Sequence, residues 1–257
     1  MKANARTIGS RTWLLMAAAL SAALIAGAGP AGAQSCDVPL FVQQGSVDAN
    51  VMILFDNSGS MNEAMFHPDY NPNITYTGYN GSTTARFGPT TVYYVSSKGN
   101  REPNDFIGTL PSTPSAWLVN SDGGQSGRYY GNYLNWIYFH ANATQRAAIP
   151  RWTRVQVAKA VTTDIVRRAR SVRFGLTVFN TNDADPGGTV SCALGADTTT
   201  VRQRINAVVA QTWTPLAETM EDILTYYQRT SAPVPITESC QWNFLIVMTD
   251  GFPTHDQ

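Results

Sequence analysis

Five oxygen-bearing side chains stand where three segments of this chain change character. Asp56, Ser58 and Ser60 alternate in the turn Asp56-Asn57-Ser58-Gly59-Ser60, directly after the apolar run Val51 to Phe55. A short glycine-containing loop of that spacing can aim all three oxygens at one centre. Thr214 adds a hydroxyl just before a helical pattern opening at Pro215, and Asp250 adds a carboxylate after the apolar run Trp242 to Met248. Hard divalent cations prefer oxygen donors, and magnesium accepts a few of them while keeping waters in its octahedron. The chemistry such a set offers is capture of Mg2+ (or Ca2+/Mn2+), left electrophilic by the small number of charges around it. Each residue also has a plain structural reading: an Asp/Ser turn at 56–60, a helix N-cap at Thr214, a turn anchor at Asp250.

The elements that must position these residues follow from periodicity. Val51 to Phe55 reads as a strand covered on both faces, because its apolar run is continuous rather than alternating; Val172 to Phe179 reads as a buried strand and Trp242 to Met248 as another strand. Between them lie helical patterns. Val157, Ala158, Val161 and Ile165 mark one, ending in the basic run Arg167-Arg168-Ala169-Arg170 that suits a helix C-terminus. Val201, Ile205, Val208 and Val209 mark a second; Leu216, Ala217, Met220, Ile223, Leu224 and Tyr227 mark a third, with Pro215 at its first position. Thr189 to Leu194 reads as a short edge strand after the turn 182–188. Strands alternating with helices imply an α/β fold with an open, mostly parallel, doubly wound sheet, and in such sheets ligands lie beyond the carboxyl ends of the strands. Asp56 and Asp250 both fall at such ends. From 62 to 150 helical period is lost, and the segment reads as a long aromatic, loop-rich insertion after the first strand. Its Tyr70, Tyr76, Tyr79, Tyr93, Tyr94, Tyr129, Tyr130, Tyr133 and Trp136 suit the small core of a separate lobe, with an adhesive aromatic face as the alternative.

Asp-x-Ser-x-Ser after an apolar strand, a Thr-Pro-Leu helix start and a strand ending in Thr-Asp-Gly together resemble the von Willebrand factor type A domain with its metal-ion-dependent adhesion site. The resemblance implies Ser58, Ser60 and Thr214 as ligands through hydroxyls, Asp56 and Asp250 acting directly or through water, and one position left for a partner's carboxylate. Asn132 to Trp136, the Arg154 to Lys159 helix and Cys240-Gln241-Trp242-Asn243-Phe244 before the Thr-Asp-Gly strand further resemble PilY-type adhesins of type IV pili. That likeness spans about 51–253. It implies an exported, non-enzymatic module of pilus biogenesis, pilus-tip adhesion or surface attachment. The implied location is the periplasm, outer surface or pilus of a Gram-negative bacterium. The implied partner is a protein offering a carboxylate, such as a pilus subunit or a host or surface receptor. Complete type A domains continue past this strand, and PilY-type proteins then carry a β-propeller, so 51–257 is expected to be an incomplete domain, its apolar edge strand Phe244 to Met248 left open to pairing or aggregation, and the chain a fragment or truncated product.

Lys2, Arg6 and Arg11 precede the uncharged run Trp13 to Ala28 and the small-residue site Ala31-Gly32-Ala33, the layout of a secretory signal peptide over 1–33. A short lead, 34–50, follows. The run falls just short of the roughly 18 to 20 apolar residues a bilayer span needs, so no membrane span is expected after cleavage. Acylation at Cys36 is a weaker reading, because Ala33-Gln34-Ser35 lacks an aliphatic residue before the cysteine. In an oxidising compartment Cys36, Cys192 and Cys240 allow one disulfide and one free thiol; the sequence does not choose the pair, and the spacing fits no zinc site.

Across 257 residues, 18 basic side chains balance 18 acidic ones and 43% of positions are hydrophobic, which excludes a disordered tail and a nucleic-acid footprint. An enzyme reading would use Asp56 as a phosphoryl-accepting nucleophile, as in a secreted phosphohydrolase, but phosphotransferases of that layout place a second acid where this chain has Ser58. His67, His140 and His255 are scattered and read as surface or loop residues. Asp122, Asp183 and Asp185 could hold calcium in their turns, although Asx turns account for them without an ion.

Overall fold

The computed structural model describes residues 47–77, 87–94, 121–125, 127–181, 187–251 and 254. The chain divides into two units, Met1–Val42 and Gln43–Gln257. The first, with the expected leader and Cys36, lies outside the described residues, as do Tyr79, Asp183, Asp185 and His255.

The unbroken apolar run of the first strand dictates the centre of the fold. β1 (Ala49–Phe55) is buried almost throughout because neighbours cover both its sides and both its faces. β4 (Val172–Phe179) pairs with it in parallel on one side, Phe55 opposite Val178; β6 (Asn243–Met248) pairs in parallel on the other, Phe55 opposite Met248. β5 (Gly188–Cys192) closes the far edge antiparallel to β4, giving the order β5-β4-β1-β6. The protein is thus mixed α/β with an open, mostly parallel sheet.

The period of two along β1 sorts its side chains between two cores. Val51, Ile53 and Phe55 join Phe174 and Leu176 against α3 (Arg154–Arg168) and α4 (Thr198–Ala207), whose Val155, Val166, Val201 and Ile205 fill that layer. Met52 and Leu54 face the other way, onto Ile223 and Tyr226 of α5 (Leu216–Tyr227). Burying each such side chain contributes about 1.5–3 kcal/mol. At Gly175 any Cβ would stand 3.0 Å from the Met52 Cε, so the glycine lets Met52 lie against β4.

Two helical stripes lie differently from the sequence expectation. α3 buries Val155, Lys159, Thr162 and Val166, while Val161 and Ile165 are exposed. The inward line is rotated because Lys159 is satisfied inside: its Nζ pairs with Asp122 at 2.7 Å and donates to the Asn206 carbonyl at 2.9 Å. α5 buries Thr219, Ile223 and Tyr226 but leaves Met220 and Leu224 exposed. β6 has the exposed apolar side chains Phe244, Leu245, Ile246 and Val247, in keeping with the open apolar edge expected of it. Only β1 pairs with it among the described residues.

The insertion holds more regular structure than its sequence advertises. β2 (Val92–Tyr94) and β3 (Arg128–Tyr130) form an antiparallel pair, followed by α1 (Gly131–Asn135), a π-helical turn at Trp136–His140 and α2 (Ala143–Ala147). Its aromatics make a core rather than an open face: Tyr70, Phe87, Tyr93, Tyr129, Tyr133 and Trp136 are buried together. Tyr133 stacks on Trp136 at 5.8 Å, and its hydroxyl accepts from the His67 amide at 2.9 Å. Burial drives the Tyr133 phenol far above its ordinary range. His67 is therefore a buried loop residue, whereas His140 is exposed and bonds the Thr77 carbonyl.

Cys240 is disulfide-bonded, and Cys192 is free and buried. No helix of the described residues is long and apolar enough to cross a membrane.

Candidate metal centre

β1 ends at Phe55 and β6 at Met248, on neighbouring strands in one register, so Asp56 and Thr249 emerge side by side. The Asp56 amide continues the ladder to the Met248 carbonyl at 2.9 Å. From β1 the chain winds one way through α3 to β4, and later the other way through α5 to β6. That reversal is the switch point where open α/β sheets leave a crevice.

Three sets of local bonds shape the turn. The Asp56 Oδ1 accepts from the Ser58 amide at 2.7 Å, an Asx turn, and its Oδ2 accepts from the Thr249 hydroxyl at 2.7 Å. Asn57 turns away from the crevice and clamps the end of β4, donating to the Phe179 carbonyl at 3.1 Å and accepting from the Phe179 amide at 2.8 Å. The backbone of 57–59 is tied to the approach to α5: Gln211 and Thr212 donate to the Asn57 carbonyl, and Gly59 donates to the Thr212 carbonyl. Those ties carry Thr214 to the same crevice. Pro215, rather than Thr214, occupies the N-cap position of α5, so the capping alternative for Thr214 is not the role the helix uses. A Cβ at Gly59 would stand 2.8 Å from an Arg128 guanidinium nitrogen, so a side chain there would push that guanidinium aside.

The expected residues come together. The Ser58 and Ser60 hydroxyl oxygens lie 2.9 Å apart, and Ser60 donates to the Asp250 Oδ1 at 2.8 Å. Ser58, Ser60, Thr214 and Asp250 all line one cavity of about 880 Å³. Asp56 is fully buried behind them and does not line it. Burial pushes its carboxyl above the ordinary carboxylate range; the bonds from Ser58 and Thr249 pull it down, and the nearby Asp250 charge adds a small upward push.

Sequence reasoning did not single out Glu63 or Arg154. Both line the same cavity, with Arg128 and Tyr130 of the insertion, and Trp213. Arg154 reaches across, one guanidinium nitrogen 2.6 Å from the Glu63 Oε2 and the other 2.6 Å from the Asp250 Oδ2. Burial raises the Glu63 carboxyl, with Arg154 pulling the other way. No local pattern links residues so far apart, so only the fold reveals the pairing. Asp122 is engaged elsewhere: its carboxylate accepts from Lys159 and Gln156, so the turn needs no calcium to satisfy it.

The donor chemistry fits a hard divalent cation. The Ser58, Ser60 and Thr214 hydroxyls and the Asp250 carboxylate share one cavity wall with Asp56 buried behind it, and hydroxyl oxygens can turn their lone pairs to an ion. Among the described residues no three His, Cys, Asp or Glu side chains group as a metal cluster. The set is rich in hydroxyls rather than acids. If ionised, the carboxylates of Asp56, Glu63 and Asp250 outnumber the guanidiniums of Arg128 and Arg154 by one. A buried excess charge is costly without a partner; a divalent ion would turn the excess to one positive charge, which an incoming carboxylate would neutralise.

No protein-family model matches the chain, and no curated protein or solved structure matches it significantly.

Proposed function

We propose that this protein is a divalent-metal-dependent adhesion or interaction module of the von Willebrand factor A type, exported and working in type IV pilus biogenesis, pilus-tip adhesion or surface attachment, without chemical turnover. The observation that carries this reading is the bridge Ser58–Ser60–Asp250 at the switch point of the sheet, with Thr214 on the same cavity wall. Ser58, Ser60 and Thr214 would hold Mg2+, Ca2+ or Mn2+; Asp56 and Asp250 would supply negative charge directly or through water. The ion, when bound, offers a Lewis-acidic position to a carboxylate on a protein partner. The wall made by Arg128 and Tyr130 gives the insertion a part in choosing that partner. Full burial of Asp56 favours this role over the phosphohydrolase alternative, because a nucleophile must reach its substrate.

The test is thermal melting with and without Mg2+. A ligand at a hundredfold its Kd adds about 2.7 kcal/mol, which at about 2–4 °C per kcal/mol for a domain of this size raises Tm by about 5–10 °C. The wild type should show that rise and Asp56→Ala should lose it. An equal Mg2+ response in both proteins would count against the reading.

A further inference from the structure

Arg154 is the first residue of α3, and its place is set before any ligand arrives. Thr153 and Gln156 form a capping box at the helix start, and the Arg154 amide donates to the Glu63 carbonyl at 2.9 Å. Its guanidinium then joins two carboxylates from distant segments, Glu63 and Asp250, whose side chains are 6% and 9% exposed. Asp250 is thereby divided: its Oδ1 accepts from Ser60, a proposed cation ligand, while its Oδ2 is held by Arg154 at 2.6 Å. A guanidinium does not lose its proton in proteins, so this positive charge is permanent.

We infer that Arg154 is a built-in counter-cation that sets the affinity of the divalent-ion site, by competing for Asp250 and linking that carboxylate to Glu63 at the root of the insertion. The inference rests on the cation-site reading above. A divalent ion seated at Ser58 and Ser60 shares Asp250 with Arg154 and feels the guanidinium charge among largely buried side chains, where such repulsion is weakly screened. Affinity falls, and the ion keeps more of its charge for the partner's carboxylate. Glu63 takes part of the Arg154 charge on itself. Any movement of Glu63, which also stands beside Arg128 and Tyr130 in the cavity wall, would therefore alter how firmly Arg154 grips Asp250.

Mn2+ titration of the whole chain, read as the loss of free-ion electron paramagnetic resonance signal, tests this with four proteins. Arg154→Gln should tighten the Mn2+ Kd by about tenfold or more, since even 1.4 kcal/mol of relieved repulsion is a factor of ten. Arg154→Lys, which keeps the charge, should stay near the wild-type value. Glu63→Gln leaves the Arg154 charge wholly on Asp250 and should weaken binding several-fold, an independent arm should Arg154→Gln fail to give a folded circular dichroism spectrum. An unchanged or weaker Kd in folded Arg154→Gln, or an unchanged Kd in Glu63→Gln, with wild-type binding intact, overturns the inference and leaves the cation site standing. Absence of Mn2+ binding in all four proteins overturns both.

Discussion

Replacing Asn57 with Ala should unlock the turn that carries Ser58 and Ser60. The Asn57 side chain satisfies both the amide and the carbonyl of Phe179, at 2.8 and 3.1 Å, and Phe179 is only 1% exposed. Alanine leaves both groups without that partner in the interior. An orphaned buried polar group costs about 1–3 kcal/mol, and local relaxation places the pair at about 2–4 kcal/mol. At about 2–4 °C per kcal/mol, Tm should fall by about 4–16 °C. Urea unfolding should show a lower midpoint with an unchanged slope, because the buried surface is not altered. Asn57→Asp keeps the acceptor but loses the donor and buries a carboxylate against the Phe179 carbonyl, so at neutral pH it should lose at least as much as Asn57→Ala. A loss below about 0.5 kcal/mol, the range of an ordinary surface change, would show that the clamp does not hold the turn.

Asp122→Asn should destabilise at neutral pH by about 2 kcal/mol, because it strips the buried Lys159 ammonium of its ionised partner and leaves it the Asn206 carbonyl. Burial pushes the Asp122 carboxyl up, but Lys159 and Gln156 together hold it below its ordinary value. The stabilisation is therefore present above the ordinary carboxylate pKa and lost as pH falls through the lowered one, so the gap to wild type in urea melts should close only in strong acid. Along β6, Phe244 and Ile246 are 51% and 36% exposed on a strand paired only with β1 among the described residues. Sedimentation should reveal concentration-dependent association that Ile246→Lys reduces; equal association in both proteins would point to another surface.

How far the sequence could be read depended on the range of the interactions involved. Strand β1 was legible because coverage on both faces forces a continuous apolar run, and β4, although Arg173 and Thr177 interrupt its apolar residues, is bounded at Val172 to Phe179 as expected. That Ser58, Ser60, Thr214 and Asp250 would share one cavity wall, with Asp56 behind it, was legible because each lies at a strand end or helix start, and the α/β plan brings such ends to one edge. α1 and the π-helical turn were hidden: every position from Gly131 to Ile137 is buried, the polar Asn132 and Asn135 included, so no amphipathic period arises. On α3 the hydrophobic stripe misplaced the inward face, because Lys159 enters the interior only with Asp122 from the insertion. The same applies to Arg154, whose helix start was legible while its two carboxylates were not.

The central claim, that hydroxyls and acids from three loops hold one divalent ion, is tested most directly by anomalous scattering from crystals of the whole chain grown in Mn2+. The account predicts a single peak in the cavity, about 2.0–2.4 Å from the Ser58 and Ser60 hydroxyl oxygens, with Thr214, Asp56 and Asp250 around it and the peak gone in Asp56→Ala. A cavity without a peak at saturating Mn2+, or a peak bound only by residues other than these five, would contradict it.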